Sequence, residues 1–147
     1  MKWSASRWFL LLTALAVVIG LPLARKWLTA EAAPRCAMDG LVIEPLYRIR
    51  IVDDVDVSRS FCCVRCAERW LSRQTSTTTT SVYVVDEATG AEIDHREGHF
   101  VRSSVITNRI NANRIHVFQS RMAAEEHLRV FGGAFLLGAE RPFALPR

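Results

Sequence analysis

Cysteine is scarce in this sequence, and its basic charge is nowhere concentrated. The chain has only four cysteines in 147 residues, and its 19 lysines and arginines are scattered along it. Four cysteines are too few for a disulfide-dense miniprotein, which leaves metal binding and redox chemistry open for them. Scattered basic residues argue against nucleic acid as a ligand, and the net charge of +4 identifies no other partner. After a leader of roughly thirty residues, the length suffices for one domain of about 110 residues.

Residues 1–30 are predicted to form a membrane segment. Their apolar part, residues 8–24, contains no charged residue and is followed directly by Arg25 and Lys26. The run is long for the apolar region of a signal peptide and short for a membrane-spanning helix, and tryptophans lie near both of its ends. Because no clear signal-peptidase site follows, we expect an uncleaved N-terminal anchor, with a cleaved leader as the alternative. Basic residues at both ends leave its orientation undetermined.

The cysteines fall into two segments that together contain the elements of a soft-metal site. Cys62, Cys63 and Cys66 lie within one short stretch, and Cys36 lies upstream, two residues before Met38. If a helix begins near Cys63, then Cys62 and Cys66 are one turn apart, and the helix N-terminus favours their thiolates. Thiolate and thioether sulfur together select Cu(I), whereas thiolates alone also suit zinc. The predicted metal ligands are Cys36, Met38, Cys62 and Cys66, with copper favoured over zinc.

Other roles for the cysteines remain open from the residues alone. Cys63 and Cys66 form a CxxC, which in a thiol-redox protein would cycle between dithiol and disulfide. In an oxidising compartment, four cysteines can form two structural disulfides. All four cysteines can also close a structural zinc site, or they can simply be buried in the core.

The residue pattern predicts an α+β fold built from a repeated unit. Alternating and β-branched segments predict strands at 47–53, 57–62 and 82–85, with a helix at 63–72 and a polar loop at 74–81. Residues 118–128 align with 61–71 without a gap, so that Phe61 falls on Phe118. We therefore predict duplicated ββαβ units forming one small domain at 36–143, with halves at 36–90 and 91–143, preceded by an N-terminal membrane helix.

The second copy of the unit has no sulfur where the first has three cysteines. Gln119, Ser120 and Ala123 stand at the positions of Cys62, Cys63 and Cys66. The fold thus does not require thiols there, which favours a chemical role for the cysteines in the first copy.

Histidine and the remaining methionine are weaker candidates as ligands. His95 and His99 lie in what reads as a turn, His116 lies in a predicted strand, and His127 aligns with a tryptophan. Packing or surface roles are expected for each of them, and His99 is the best candidate ligand among the four. Met122 lies at the start of the second predicted helix and can approach the site across a pseudo-twofold axis, but packing is the expected role.

Several motifs occur in order along the chain: C-A-M at 36–38, F-C-x3-C-A at 61–67, V-V-D-E at 84–87, F-V-x-S at 100–103, V-F-x4-A-A at 117–124 and G-G at 132–133. This arrangement resembles the NosL family, accessory proteins that deliver copper for nitrous oxide reductase assembly. The spacing of Cys36, Cys62 and Cys66 is also similar to that of TRASH and YHS metal-handling domains.

The NosL resemblance implies a non-enzymatic, membrane-tethered Cu(I) metallochaperone in the periplasm, with a copper-receiving metalloprotein as its partner. Cys36 and Met38 would supply sulfur ligands. Two features depart from the family pattern: no lipobox precedes Cys36, so tethering would fall to the N-terminal helix at the inner membrane, and no methionine precedes Ile115 in the second half, where some family members carry a further ligand. Cys62 and Cys66 would replace that methionine. The alternatives are a membrane-anchored thiol–disulfide protein using Cys63 and Cys66, and a structural zinc or metal-sensing module.

Overall fold

The computed structural model describes residues 33–74 and 81–144, which form a small mixed α/β domain with two antiparallel sheets and two α-helices. The predicted membrane segment at 1–30 lies outside the described residues. Within the ranges described, no helix combines the length and apolar character needed to cross a membrane.

The first sheet is built around a strand whose sequence alternates apolar and basic residues. Its strands are β1 (Ile49–Val52), β2 (Ser58–Phe61), β3 (Ser81–Val85) and β4 (Glu92–Asp94), in the order β2-β1-β3-β4. Ile49 and Ile51 of β1 are buried, while Arg50 between them reaches Glu92 at 2.7 Å. A strand places successive side chains on opposite faces, so this alternation puts the isoleucines in the core.

The second sheet repeats the arrangement of the first three strands. It consists of β5 (His99–Arg102), β6 (Ile115–Phe118) and β7 (Ala134–Phe135), in the order β6-β5-β7. The helices are α1 (Val64–Leu71), between β2 and β3, and α2 (Arg121–Phe131), between β6 and β7. Each of the two units therefore has the order ββαβ. In each unit the first strand lies between the second and the third.

The gapless alignment of the two copies matches the ends of corresponding elements. Phe61 and Phe118 each end a strand, and Val64 and Arg121 each begin a helix. Phe61 pairs with the first residue of β1, and Phe118 pairs with the first residue of β5. The phenylalanines thus mark the same corner of the unit in both copies.

Two details differ from the sequence expectation. Tyr47, predicted to begin a strand, belongs to a 3-10 turn at Pro45–Tyr47, because Pro45 presets the backbone for a turn. The strand β4 was not predicted, and it pairs with β3 of the first sheet although its residues fall in the second predicted half. Its three residues carry too short a pattern to be recognised without the partner strand.

The two units differ most in the loop between their first two strands. Residues 53–57 join β1 to β2, whereas the longer residues 103–114 join β5 to β6. We call the longer connection the 103–114 loop. It has regular internal hydrogen bonds, including Thr107 N to Asn113 O at 2.8 Å and a β-bridge between Asn108 and Asn113. It therefore presents its side chains in fixed positions.

A buried histidine ties the 103–114 loop to the sheet. His116 is 1 % exposed, and its Nδ1 lies 2.8 Å from Glu87 Oε2 while its Nε2 lies 3.2 Å from Val105 O. Both ring nitrogens therefore lie within hydrogen-bond distance of an oxygen atom. The ring of His127 packs 4.4 Å from that of His116. These two histidines therefore have structural contacts, as their positions in the sequence suggested.

Candidate metal centre

A tight turn holds the first cysteine of the site. The amide of Cys36 donates to Leu41 O at 2.8 Å, and the side chain of Asp39 accepts a hydrogen bond from the Leu41 amide at 3.1 Å. Gly40 has φ +73°, a conformation that a residue with a side chain rarely adopts. The glycine thus closes the turn that carries the buried Cys36 and the exposed Asp39.

This turn is fastened to the strand that precedes the other cysteines. The amide of Ala37 donates to Ser60 O at 2.9 Å, near the end of β2. Phe61, the last residue of β2, is fully buried, and its ring lies 5.6 Å from that of Trp70 on α1. The contact fixes the corner between strand and helix, so the segment carrying Cys62 lies beside Cys36.

Cys62 and Cys66 lie on the same side of the beginning of α1. Cys62 immediately precedes the N-cap residue Cys63, and Cys66 lies in the first turn of the helix. Their sulfur atoms are 3.6 Å apart. The helix begins where the sequence predicted, and one turn separates the two thiols as expected.

Sulfur atoms from both segments converge with one carboxylate. The ligand atoms of Cys36, Asp39, Cys62 and Cys66 all lie within 4.8 Å of one another. All four cysteines of the chain are free thiols. Asp39 Oδ2 is 3.1 Å from Cys66 Sγ and 3.6 Å from Cys62 Sγ. We call these four residues the thiol–carboxylate cluster, and its donor atoms suit a metal ion.

Asp39 is a member of the cluster that sequence reasoning missed. Its position in the sequence could have indicated this, because Asp39 directly follows Met38 in the same short segment as Cys36. The ligand set predicted from the sequence contained only sulfur, because soft donors select Cu(I). Aspartate followed by glycine is also a common turn sequence, so the pair does not by itself indicate a metal ligand.

Near neutral pH the Cys62 and Cys66 thiols of the cluster keep their protons and the Asp39 carboxyl is ionised. Burial raises the pKa of the Cys62 and Cys66 thiols well above the usual range, and for Cys66 the hydrogen bond to Asp39 adds to the effect. Burial also acts to raise the pKa of Asp39, but hydrogen bonds from the Cys36 and Cys66 thiols outweigh it and lower that pKa. A metal ion binding here must therefore displace thiol protons.

Cys63 lies outside the cluster, although it adjoins Cys62. Its side chain is 1 % exposed and lines a small cavity of about 10 Å³ together with Tyr47, Val85 and Val117. The two neighbouring sulfurs, of Cys62 and Cys63, are 4.0 Å apart. The four-thiolate site considered from the sequence is thus replaced by three thiols and a carboxylate.

Known proteins are similar to this chain in fold. A scan against protein-family models and a search of curated proteins find no match. Among solved structures, the crystal structure of the copper chaperone NosL from Shewanella denitrificans matches with a TM-score of 0.62 at 20% sequence identity, covering 79% of this chain and 97% of that chain. The chain has the fold of this NosL. The resemblance indicated by the motifs is thereby confirmed at the level of the fold.

Met38, the fourth predicted ligand, lies on an open cleft of the NosL-like fold. The cleft has a volume of about 690 Å³ and is lined by Met38, Asp39, Arg65, Cys66, Glu68, Arg69, Ile110 and Asn111. Met38 is half-buried, and its sulfur lies 3.8 Å from Arg73 Nη1. The cleft therefore reaches from the exposed Asp39 to the buried Cys66, and the Met38 thioether also lines it.

The weaker candidates from the sequence lie elsewhere. Met122 on α2 is 77% exposed. None of the histidines belongs to the thiol–carboxylate cluster in the described ranges. His99, the best of them from the sequence, packs its ring against Phe135 at 6.4 Å, and His95 packs against Phe143 at 5.6 Å. Both rings therefore have aromatic neighbours.

Proposed function

We propose that this chain is a metallochaperone that binds Cu(I) with Cys36, Cys62 and Cys66 and passes it to a partner metalloprotein. The observation that carries the proposal is the convergence of three free thiols from two distant segments beside an open cleft. Thiolates are soft ligands of the kind that select Cu(I). The fold likeness to a copper chaperone supports the same metal. The protein acts as a carrier and performs no catalysis.

The geometry suits a carrier that loads and releases its metal. In the metal-free state the Cys66 thiol has a partner in the Asp39 carboxylate, 3.1 Å away, so losing the metal does not leave this thiol without a partner. Met38 and the buried Cys66 line the same cleft. A thioether beside a thiolate cluster allows copper to pass through a mixed sulfur environment during transfer, so Met38 serves as the ligand of the exchange step.

The two ββαβ units have the same arrangement of strands and helix but different roles at the proposed metal site. Both units share strand order and the corner phenylalanine, and only the first supplies sulfur. At the helix N-cap, Ser120 of the second unit accepts a hydrogen bond from Ala123 N, whereas Cys63 caps α1 without a side-chain bond. The first unit thus has a thiol where the second has a capping hydroxyl, at a cost in local helix stability of about 1 kcal/mol.

Zinc is the second candidate metal, and Asp39 is the observation that favours it. Three thiolates and a carboxylate match the four-coordinate donor sets that zinc accepts. The structural-zinc alternative predicts that removing the metal unfolds the domain, because a closed structural site contributes folding energy directly. The carrier proposal predicts a domain that stays folded without metal.

Anaerobic titration of the purified full-length chain is expected to give about one Cu(I) bound per chain, because the thiol–carboxylate cluster offers one set of converging thiols. The measurement is competition with a chromophoric Cu(I) chelator. Circular dichroism of the chain after metal removal is expected to show unchanged secondary structure. A chain that fails to compete for Cu(I), or that unfolds when its metal is chelated, would contradict the carrier proposal.

We further propose that residues 1–30 tether the domain to the inner membrane, with the domain on the periplasmic side. The uncharged run at residues 8–24 supports the tether, and the NosL resemblance supports the compartment. Cell fractionation of the full-length chain should recover it in carbonate-washed membranes. Protease added to spheroplasts should then digest the domain. Recovery in the soluble periplasmic extract would contradict the tether, and protection from protease would contradict its orientation.

A further inference from the structure

Two asparagine side chains of the second unit contact the sulfur atoms of the first. Asn108 Nδ2 lies 3.2 Å from Cys62 Sγ. Asn111 Nδ2 lies 3.0 Å from Cys63 Sγ and 3.5 Å from Cys66 Sγ. Both asparagines belong to the 103–114 loop, the segment in which the second unit departs most from the first. The cluster therefore has polar neighbours that do not come from its own unit.

The orientation of each side-chain amide is set by contacts of its oxygen. Asn111 Oδ1 accepts a hydrogen bond from Asn113 N at 3.0 Å, and Asn108 Oδ1 accepts one from Ile110 N at 2.9 Å. A backbone N–H can only donate, so these oxygens cannot exchange places with the amide nitrogens. In both side chains the NH₂ group is thereby directed at sulfur.

The backbone of the loop is held in place independently of the cluster. Arg65 of α1 donates from Nη1 to Asn111 O at 2.8 Å, which joins the loop to the helix that carries Cys66. Asn113 is 1 % exposed and donates from Nδ2 to Thr107 Oγ1 at 2.6 Å. The two amides are thus presented from a prearranged scaffold.

The metal-loaded cluster needs such donors. Three thiolates and the Asp39 carboxylate carry more negative charge than a monovalent copper ion neutralises. Placing that excess in a buried site is costly unless hydrogen bonds stabilise it. Donors aimed at thiolate sulfur act on the charged form and make charge-assisted bonds, which are the stronger kind.

We propose that Asn108 and Asn111 are positioning residues of the copper site, whose N–H···S bonds orient the thiolates and set the strength of Cu(I) binding. The inference rests on the proposed function and adds to it a role for the second unit. The 103–114 loop supplies the hydrogen-bond donors, while the first unit supplies the ligands. Neither asparagine contacts copper in this proposal.

Asn111→Ala and Asn111→Asp in the full-length chain test the proposal. Asparagine-to-alanine removes the donor, and Cu(I) affinity is expected to fall about tenfold. Asparagine-to-aspartate keeps Oδ1 for Asn113 N but places a negative oxygen where the NH₂ group faced sulfur, and affinity is expected to fall about thirtyfold. Affinity is measured by chelator competition, and thermal unfolding of the metal-free variants checks that they fold.

A spectroscopic readout separates positioning from a merely structural role. An N–H···S bond lowers the energy of the sulfur electrons, so its loss is expected to move the thiolate-to-Cu(I) charge-transfer absorption to longer wavelength. Gln119→Glu is the matched control, because it makes the same change of charge at an exposed amide whose contact is with Glu97. We expect this variant to bind Cu(I) within about twofold of the unmodified chain.

The possible results distinguish failure of this inference from failure of the proposed function. Asn111 variants that bind like the unmodified chain, a Gln119→Glu loss equal to that of Asn111→Asp, or weaker binding with an unmoved absorption band would each overturn the inference while leaving the copper site intact. An unmodified chain that binds no Cu(I) overturns the proposed function itself. Asn108→Asp makes the same test at the Cys62 sulfur and decides it if the Asn111 variants fold poorly.

Discussion

Replacing Cys62 or Cys66 with serine is expected to weaken Cu(I) binding at least about a hundredfold. Binding free energies of about 10–16 kcal/mol for structural Zn(II) with four ligands correspond to about 2.5–4 kcal/mol per ligand, and we expect a loss of similar size for each Cu(I) ligand here. A hydroxyl is a hard, protonated donor that cannot replace a thiolate toward Cu(I). Cys36→Ser is expected to have the same effect, because its sulfur belongs to the same cluster. Competition with a chromophoric chelator under anaerobic conditions measures the change.

Cys63→Ser is the matched control for these variants. Its sulfur does not belong to the cluster, although it lies 4.0 Å from Cys62 Sγ and 3.0 Å from Asn111 Nδ2, and its side chain lines a small cavity. Serine is also the residue that caps α2 at the corresponding position, so this substitution suits the helix N-terminus. Cu(I) affinity should stay within about threefold. A loss as large as that of Cys62→Ser would restore the four-thiolate site and show that the assigned ligand set is wrong.

The sequence predicted the repeated unit because its signals are local. Alternation in the IRIV sequence of β1, the phenylalanine at each strand end and the cysteine or serine at each helix start are all short-range patterns. They determine where a strand stops and a helix begins without reference to the rest of the chain. The proximity of Cys62 to Cys66 also followed from a local pattern, since one helical turn places the two together.

The remainder of the site depends on contacts between distant segments. Asn108 and Asn111 reach the sulfurs only because β5 and β6 place the 103–114 loop against α1. Nothing in their local sequence marks them as neighbours of cysteine, and asparagine is an ordinary loop residue. Likewise, Cys62 belongs to the cluster and Cys63 does not because of the direction of the Cys63 side chain at the N-cap. The CxxC spacing does not determine that direction.

Asp39→Asn is expected to separate the two candidate metals. Zinc accepts carboxylate oxygen as a full ligand, so loss of the Asp39 charge should weaken Zn(II) binding at least about a hundredfold. Cu(I) is held by sulfur in low coordination, and its affinity should change by no more than about threefold. Asparagine keeps an oxygen for the Leu41 amide, so the turn around Cys36 is preserved. Parallel competition titrations with the two ions measure the ratio of the two effects.

Glu68→Gln is the control for this substitution, because Glu68 lines the same cleft and the change removes the same charge. Its carboxylate accepts a hydrogen bond from the Phe143 amide at 3.3 Å and does not belong to the thiol–carboxylate cluster. Neither metal should respond by more than about threefold. If Asp39→Asn and Glu68→Gln weaken both ions alike, Asp39 acts through the charge of the cleft and not as a ligand. If Asp39→Asn instead removes Cu(I) as completely as a cysteine substitution, the carboxylate is a copper ligand, and a site selected by sulfur alone is ruled out.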